Sequence, residues 1–395
     1  MLPTQTGKQA SFRKNYPLKL LHYRQIVLFV YRYAFLLFVN ELQRNRMKTI
    51  KCGIIGCGVI APSHIESFQA LPEVEVKWAC DLEIEKAEKR AKEYGVPNVT
   101  TDYNDILNDP EVDCVAVCTE HGSHAEIVIK ALDAKKHVLC EKALGRSSKC
   151  IEQMIAAHDR NPELVFGGIF QHRHEPLNRE LKKMIEEGLF GTITTVNLNS
   201  CCKRTNEYYL GDAWRGTWEH EGGAVLINQA IHYLDLVNWL FGGISELTAC
   251  CRNITHQEVM ETEDTAVIAV KYKTGILGSI TATCSSQANW RHVITISGTE
   301  GYLEYLNLDA LHMEFKDEAR QQQVVDRLAQ CRIDEAVQKD KGYYGGGHPG
   351  QIRDFIEAVR EGRQPFVTAE SAAETVKMVL ACYESNRTGQ WVKLD

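Results

Sequence analysis

The sequence contains no C-x-x-C spacing, although fourteen cysteines are spread along its 395 residues. Zinc sites and redox-active dithiols are commonly built on that spacing, and disulfide frameworks are typical of short secreted chains. We therefore predict neither a metal site nor a disulfide framework. The scattered thiols favour a reducing compartment, so a cytoplasmic location is expected.

The sequence also lacks an apolar run long enough to span a membrane. The stretch from Ile26 to Val39 is interrupted by Arg32 and falls short of the ~20 apolar residues that a spanning helix needs. The small-residue cleavage site of a signal peptide does not follow it. No membrane contact is expected for residues 47–395.

Residues 1–46 differ in charge from the rest of the chain. They carry eight basic residues and one acidic residue, a net charge of +7, which leaves −14 for the remainder of a chain whose total is −7. Met47 directly precedes the first predicted strand. We therefore predict that residues 1–46 are an extension outside the fold, with a peripheral membrane anchor as the alternative.

The acidic remainder lacks the basic footprint that nucleic-acid binding requires, so no nucleic-acid partner is expected. It also lacks internal repeats and low-complexity linkers. A chain of 395 residues is too long for one ordinary core, and its composition is that of a soluble globular protein. Two domains are therefore expected.

The stretch from Ile50 to Ala61, IKCGIIGCGVIA, is typical of a dinucleotide-binding turn between a strand and a helix. Gly56 allows the sharp turn, Gly58 lets backbone amides approach a pyrophosphate, and Ala61 lets helix and strand pack closely. Val59 and Ile60 complete the turn. The helix N-terminus offers unpaired N–H groups to the anion.

A second predicted strand, Val74 to Cys80, ends at Asp81, which lies 20 residues after Ala61. An acid at about this distance is expected to bind the adenosine ribose hydroxyls and to repel a 2′-phosphate. The turn and Asp81 together predict NAD as the cofactor, with NADP less favoured. The alternative is a glycine-rich turn in a βαβ unit without a cofactor.

Strands and helices alternate six times up to residue 170, which is typical of a doubly wound parallel sheet. From about Gln171 the pattern changes to longer strands joined by hairpin turns at residues 273–275 and 298–301. A helical pair follows, Gln351 to Arg360 and Ala369 to Glu384. We predict a Rossmann domain over residues 47–170 and an α+β substrate and oligomerisation domain over residues 171–395.

Glu141-Lys142-Ala143 directly follows the fifth predicted strand. The carboxyl ends of strands line the ligand crevice of open α/β sheets, so Lys142 should face the nicotinamide half of a cofactor. A lysine there can hold a substrate hydroxyl or take its proton if its pKa is depressed. The alternative is an ordinary surface lysine.

A strongly apolar helix, predicted over Ala224 to Phe241, carries a row of polar residues. Asn228 and His232 are spaced i, i+4, and Asp235 lies three residues further, so all three are expected on one helical face. Polar groups on a buried helix are costly unless they are satisfied or used. The alternative is a core histidine with a structural partner.

Taken in order, these motifs resemble the Gfo/Idh/MocA oxidoreductase family from about Lys48 to Asp395. The resemblance implies a Rossmann domain joined to a substrate domain with an open-faced, mixed and largely antiparallel sheet. It implies an NAD(P)-dependent dehydrogenase for a secondary alcohol or ketone of a sugar, cyclitol or sugar nucleotide. A homodimer or homotetramer through the C-terminal sheet is expected. The residues that carry the resemblance beyond the glycine turn are Thr119, His124, Glu141, Lys142, Arg173, Gly222, Gly223, His232, Asp235, His348, Asp354, Phe355, Gly362 and Arg363.

The family's catalytic group carries over to Lys142, Asn228 and His232. The other implied contacts are Thr119, His124, Glu141 and Lys142 with the cofactor, and Arg173, Trp214, Arg215, Asn228 and His232 with the substrate. The resemblance leaves two alternatives open, an NAD-dependent redox glycosidase and a non-enzymatic NAD(P)-binding regulator.

The sequence departs from the family pattern at two positions. Ala143 stands where the family usually has proline, and Asn228 stands where inositol-type dehydrogenases have aspartate. An amide cannot act as the carboxylate that orients and charges His232. The string INQAIH around Asn228 resembles the branch of UDP-N-acetylglucosaminuronate 3-dehydrogenases, which rely on the lysine and the histidine.

Overall fold

The computed structural model describes residues 49–307, 309–337 and 346–394, and for residues 309–311 and 333–337 it describes the backbone only. The predicted extension, residues 1–46, lies outside this part of the chain. From Ile50 onward the protein forms one compact unit. Within the described ranges, no helix combines the length and the apolar character needed to cross a membrane.

The first sheet is parallel, as predicted, and lies in the N-terminal half. Among the described residues its strands follow the order β3-β2-β1-β4-β5-β6. The strands are β1 (Ile50–Ile55), β2 (Val74–Cys80), β3 (Asn98–Thr100), β4 (Cys114–Val117), β5 (His137–Cys140) and β6 (Phe166–Gly168). The order reverses between β1 and β4, which is where open α/β sheets bind ligands at the carboxyl ends of their strands.

Helices connect these strands, and their ends follow simple sequence signals. Ser147 caps the N-terminus of α5, and Gly95 ends α2 in the left-handed conformation. The helices are α1 (Ala61–Gln69), α2 (Ile84–Tyr94), α3 (Tyr103–Asn108), α4 (His121–Asp133) and α5 (Ser148–Asp159). Because β1, β4 and β5 are parallel neighbours, the loops that follow them lie at the same edge of the sheet.

The second sheet is mixed, in the order β13-β12-β11-β7-β10-β9-β8-β14, with β7 and β10 parallel and the other pairs antiparallel. Its strands are β7 (Ile193–Cys201), β8 (Ile244–Arg252), β9 (Thr265–Tyr272), β10 (Leu277–Thr283), β11 (Arg291–Gly298), β12 (Gly301–Leu306), β13 (Asp309–Phe315) and β14 (Val392–Lys393). Residues of β9 alternate between buried and exposed, so the sheet keeps one open face. Val267 and Leu277 are exposed on these strands. Oligomerisation through this sheet stays a prediction.

The helices of the C-terminal half pack against the sheets. They are α6 (Pro176–Glu186), α7 (Asn206–Leu210), α8 (Ile231–Leu240), α9 (Glu318–Val337), α10 (His348–Glu361) and α11 (Ala369–Thr388). The sequence patterns did not predict the three elements between residues 301 and 337, which are β12, β13 and α9. Ile352, Phe355 and Ile356 of α10 join the apolar cluster around α1, so the C-terminal part of the chain returns to the first half.

The helix predicted over Ala224 to Phe241 is not continuous. Val225–Gln229 form a π-helical turn, closed by the Ala230 N–H on the Val225 carbonyl, and α8 begins only at Ile231. The buried carboxylate of Glu263 accepts the backbone N–H groups of Ala224 and Leu226 and holds the start of this turn. The prediction that one α-helix carries all three polar residues is therefore wrong for Asn228, whereas His232 and Asp235 lie three residues apart on α8.

Candidate active site

The turn after β1 has the shape that a dinucleotide needs. Gly56 adopts φ +97°, and a Cβ added there would lie 2.6 Å from the Cys118 backbone. A Cβ added at Gly58 would meet no protein atom within 4 Å, so the space over the turn is open. Ala61 is fully buried at the start of α1, while Val59 is exposed. The open amides at a helix N-terminus suit a pyrophosphate.

Asp81 is held beside this turn. Its Oδ2 accepts the Cys57 N–H at 2.8 Å, and its Oδ1 accepts the Glu83 N–H at 3.0 Å. An ionised carboxylate has about four acceptor positions, so two or so remain for ribose hydroxyls. Arg90 donates to the Gly58 carbonyl at 3.2 Å. The glycine turn and Asp81 together fit the adenosine half of NAD.

His124 connects the ends of β4 and β5. Its buried ring lies with Nδ1 2.8 Å from the Ala143 carbonyl and Nε2 3.0 Å from the Thr119 carbonyl. Burial lowers the pKa of His124, so the ring is neutral. Both ring nitrogens face backbone carbonyls, and the neutral ring donates to one of the two, so His124 packs between the two loops. Its predicted contact with the cofactor receives no support from this geometry. Thr119 remains half-buried at the same edge.

Glu141 is buried and lies between two histidines from distant parts of the chain. His64 Nε2 is 2.7 Å from Glu141 Oε1, and His348 Nε2 is 3.7 Å from the same oxygen. Burial alone would raise the pKa of Glu141, but His348 and His64 hold it well below its usual range. We interpret the three side chains as a buried electrostatic cluster, with a hydrogen bond between His64 and Glu141 only, and assign no metal ligand. The prediction of no metal site stays a prediction.

Lys142 is directed at Asn228. Its Nζ donates to Asn228 Oδ1 at 2.7 Å and to the Asn228 carbonyl at 3.1 Å. Burial lowers the pKa of Lys142 to about 8 against the influence of Glu141 and Glu221, and Arg215 and Arg204 lower it further. A lysine of this kind carries a free amine at mildly alkaline pH. The structure thus brings two of the three predicted catalytic residues into contact.

His232 lies close by, with its ring between aromatic neighbours. The centre of the His232 ring is 5.4 Å from that of His172 and 6.2 Å from that of Phe170, and both contacts are edge-to-face. Its Nδ1 is buried, and no hydrogen-bond partner for that atom occurs in the described part of the chain. Burial, with a smaller contribution from Lys142, holds the pKa of His232 well below its usual range. His232 is therefore a neutral hydrogen-bonding group.

Arg173 and Asp235 form a buried ion pair instead of facing Lys142. Arg173 Nε donates to Asp235 Oδ2 at 2.8 Å and its second nitrogen donates to Oδ1 at 2.5 Å. Ser371 also accepts from Arg173, and the Thr375 hydroxyl donates to Asp235 at 2.8 Å. The prediction that Arg173 contacts substrate is therefore not supported, because its guanidinium is already engaged by a carboxylate and a hydroxyl.

An aromatic and cationic cluster lies within electrostatic range of Lys142. The Arg215 guanidinium stacks 4.2 Å from the Tyr208 ring centre and 4.3 Å from that of Trp214. Arg204 lies 4.7 Å from the Tyr208 ring centre. Trp214 and Arg215 were predicted at the substrate; Arg204 and Tyr208 were not, because nothing in their spacing distinguishes them from surface residues.

Comparison with known proteins matches both halves of the chain to one family. Residues 50–169 match the family model described as an oxidoreductase family with an NAD-binding Rossmann fold. Residues 182–394 match the model of the C-terminal alpha/beta domain of the same Gfo/Idh/MocA oxidoreductases. Together the matched ranges cover most of the chain.

Individual relatives are similar over most of their length. The myo-inositol 2-dehydrogenase of Thermotoga maritima is 24% identical over 88% of this chain and 97% of its own. The levoglucosan dehydrogenase of Pseudarthrobacter phenanthrenivorans is 26% identical over 68% of this chain and 77% of its own. The crystal structure of the WlbA dehydrogenase from Bordetella pertussis, in complex with NADH and UDP-GlcNAcA, superposes with a TM-score of 0.79 at 26% identity, covering 88% of this chain and 98% of that one.

Proposed function

The chain belongs to the Gfo/Idh/MocA family of NAD-dependent oxidoreductases, and we propose that its substrate is a secondary alcohol of a sugar-type molecule that carries an anionic group. The observation that carries the proposal is the contact of Lys142 with Asn228 beside the glycine turn. A general base with a lowered pKa lies there at the carboxyl edge of the sheet, next to the groups that fit NAD.

NAD, when bound, supplies the acceptor for the hydride of the carbinol carbon. Gly56 and Gly58 would let the turn approach its pyrophosphate, and Asp81 would accept the adenosine ribose hydroxyls. Lys142 takes the hydroxyl proton as a free amine, and in the reverse direction its ammonium donates to the carbonyl oxygen. His232, neutral and with an unused buried nitrogen, orients the substrate hydroxyl by a hydrogen bond. Asn228 positions the lysine.

The anionic group is inferred from Arg204 and Arg215. Two guanidinium groups on aromatic faces favour a carboxylate or a phosphate. Arg215 already donates to the half-exposed Asp212 carboxylate at 2.8 Å and to the Tyr208 hydroxyl, so it contributes its positive charge and its remaining N–H groups. The WlbA dehydrogenase, whose structure contains UDP-GlcNAcA, is a relative with such a substrate. Trp214 adds an apolar surface of the kind on which sugar rings stack.

A panel of alcohols tests the substrate proposal by NADH formation. We expect UDP-GlcNAcA and other acidic sugars to be oxidised with higher kcat/KM than myo-inositol and levoglucosan. At a pH well above 8, where Lys142 is a free amine with or without Arg215, Arg215→Met should lower kcat/KM for the acidic substrates about tenfold or more and change it much less for neutral ones, because a charged hydrogen bond contributes ~1.5–3 kcal/mol. Faster oxidation of the neutral polyols by the wild-type enzyme would contradict the proposal.

Alcohol oxidation should depend on the protonation of Lys142. A lysine accepts a proton only as the free amine, and the pKa of Lys142 is lowered to about 8. We therefore expect kcat/KM for oxidation to rise with pH through about 8 and then level, and ketone reduction to fall over the same range. Initial rates in both directions across the neutral and alkaline range measure this. A flat oxidation profile would exclude Lys142 as the base.

Asp81 should decide between NAD and NADP. In Asp81→Asn the amide oxygen still accepts the Cys57 N–H, but the negative charge that repels a 2′-phosphate is gone. We expect the NADPH dissociation constant, divided by that of NADH, to fall about tenfold or more. This is the size of effect expected when the repulsion between two like charges near a protein surface is removed. Fluorescence titration with each cofactor measures both constants. An unchanged ratio would show that Asp81 does not face the ribose.

A further inference from the structure

Glu221 is a buried carboxylate in a loop that ends at the π-helical turn Val225–Gln229. One of its oxygens accepts the Gly216 N–H and the other accepts the side-chain amide N–H of Asn228. Its backbone carbonyl lies 2.9 Å from Nδ1 of His121, at the start of α4. Glu221 is thus fixed on three sides and is oriented toward the catalytic group.

Asn228 connects Glu221 to Lys142. Its Nδ2 donates to Glu221, and its Oδ1 accepts from Lys142 Nζ at 2.7 Å. A carboxylate can only accept hydrogen bonds and an ammonium can only donate them, so the amide has one orientation that satisfies both. The three side chains form a continuous hydrogen-bonded row from a buried negative charge to the proposed base.

We infer that Glu221 is a positioning residue that polarises the Asn228 amide and thereby stabilises the protonated form of Lys142. A carboxylate that accepts from the amide N–H₂ group makes the amide oxygen a stronger acceptor, because hydrogen bonds in a row strengthen one another. The inference rests on the proposed function, in which Lys142 gains the hydroxyl proton. Glu221 and Asn228 neither gain nor lose a proton in that step.

The distance between Glu221 and Lys142 has a chemical consequence. A carboxylate in direct contact with a lysine raises its pKa and keeps it as an ammonium, which cannot accept a proton. An intervening amide transmits part of that stabilisation, so Lys142 can hold the proton it receives and still be a free amine at mildly alkaline pH. An aspartate at position 228 would bring a negative charge into direct contact with Lys142. In this chain the negative charge is on Glu221, and the Asn228 amide lies between it and Lys142.

Other charged and titratable groups also influence Lys142 and Glu221. Burial raises the pKa of Glu221 to about 7, against its hydrogen bonds from Gly216 and Asn228, so it is mostly charged at the alkaline pH where Lys142 is an amine. The groups that act on the pair, apart from each other, are Glu141, Arg204, Arg215, His121, His232, Tyr208 and Tyr209. None of the substitutions below changes these neighbours.

Direct titration of Lys142 tests the inference without a substrate. Competitive labelling with acetic anhydride, followed by mass spectrometry of the peptide that contains Lys142, gives the pKa of its amine in the full-length protein. Glu221→Gln keeps the side-chain size and removes the charge, and its single amide oxygen can accept from only one of Gly216 and Asn228, so we expect the pKa of Lys142 to fall by about one unit. In the double variant Glu221→Gln, Asn228→Asp the charge contacts Lys142 directly, and its pKa should rise above that of the wild type.

The order of the three pKa values decides the outcome. A structural role for Glu221 predicts the wild-type pKa in Glu221→Gln as long as NADH binding and circular dichroism are unchanged, and that result would overturn the inference. If Glu221→Gln does not fold, Glu221→Asp decides instead: its shorter carboxylate is withdrawn from the Asn228 amide, so the pKa of Lys142 should fall, and an unchanged pKa would overturn the inference. Where turnover is measured, the oxidation profile of Glu221→Gln should shift to lower pH by about one unit with KM little changed. Absence of turnover by the wild type on every alcohol would refute the proposed function and leave the titration result intact.

Discussion

Replacing Lys142 with methionine is expected to lower kcat/KM for alcohol oxidation by about 10²–10⁴-fold, the usual contribution of a positioned general base. Methionine is similar in length and fills the half-buried site, but it can neither accept the hydroxyl proton nor donate to Asn228. NADH should still bind, because the glycine turn and Asp81 lie on other loops. Steady-state oxidation rates and fluorescence titration with NADH measure the two quantities.

Two further variants separate the charge of Lys142 from its basicity. Lys142→Arg keeps a cation and hydrogen-bond donors, but a guanidinium stays protonated, so oxidation should be as slow as in Lys142→Met. Lys130→Met removes an exposed lysine that pairs with Glu126 on the surface of α4 and should leave the rate unchanged. A Lys142→Met enzyme within about tenfold of wild type, ~1.4 kcal/mol of barrier, would show that another group takes the proton.

The first sheet and its edge could be predicted from the sequence because the signals there are local. Gly56 and Gly58 are required by backbone geometry within a few residues, and Asp81 and Lys142 follow directly from the ends of apolar strands. Parallel strands bring their carboxyl ends to one edge whatever the details of packing. The cofactor class and the position of the proposed base could therefore be predicted from the order of the strands.

The surroundings of Asn228 could not be predicted from the sequence, because they are formed by contacts between residues that are distant in the chain. Position 228 lies in a π-helical turn held by Glu263, and no periodicity in residues 224–241 predicts the extra residue in that turn. Glu221 acquires its role only because Asn228 turns its amide toward it. β12 was not predicted, because GYLEYL has only Glu304 to mark its alternating burial and its pairing with β11 depends on the fold.

The buried ion pair of Arg173 and Asp235 should be a large contributor to stability. Asp235→Ala leaves a guanidinium that is 4% exposed without its carboxylate and also removes the acceptor of the Thr375 hydroxyl. We expect the free energy of unfolding to fall by about 3–5 kcal/mol, since removing one partner leaves an uncompensated buried charge. Urea unfolding followed by fluorescence measures the loss.

Matched variants distinguish this charge effect from a loss of packing. The double variant Arg173→Met, Asp235→Leu replaces both partners with apolar groups and should recover much of the stability, because the buried charge disappears with its partner. Glu374→Ala removes an exposed partner of Lys377 on the same helix α11 and should cost about 0–1 kcal/mol. If the double variant is no more stable than Asp235→Ala, the loss comes from packing around α8 and α11. A double variant that regains stability and keeps its turnover would also show that Arg173 is dispensable for substrate binding, which its engagement by Asp235 and Ser371 implies.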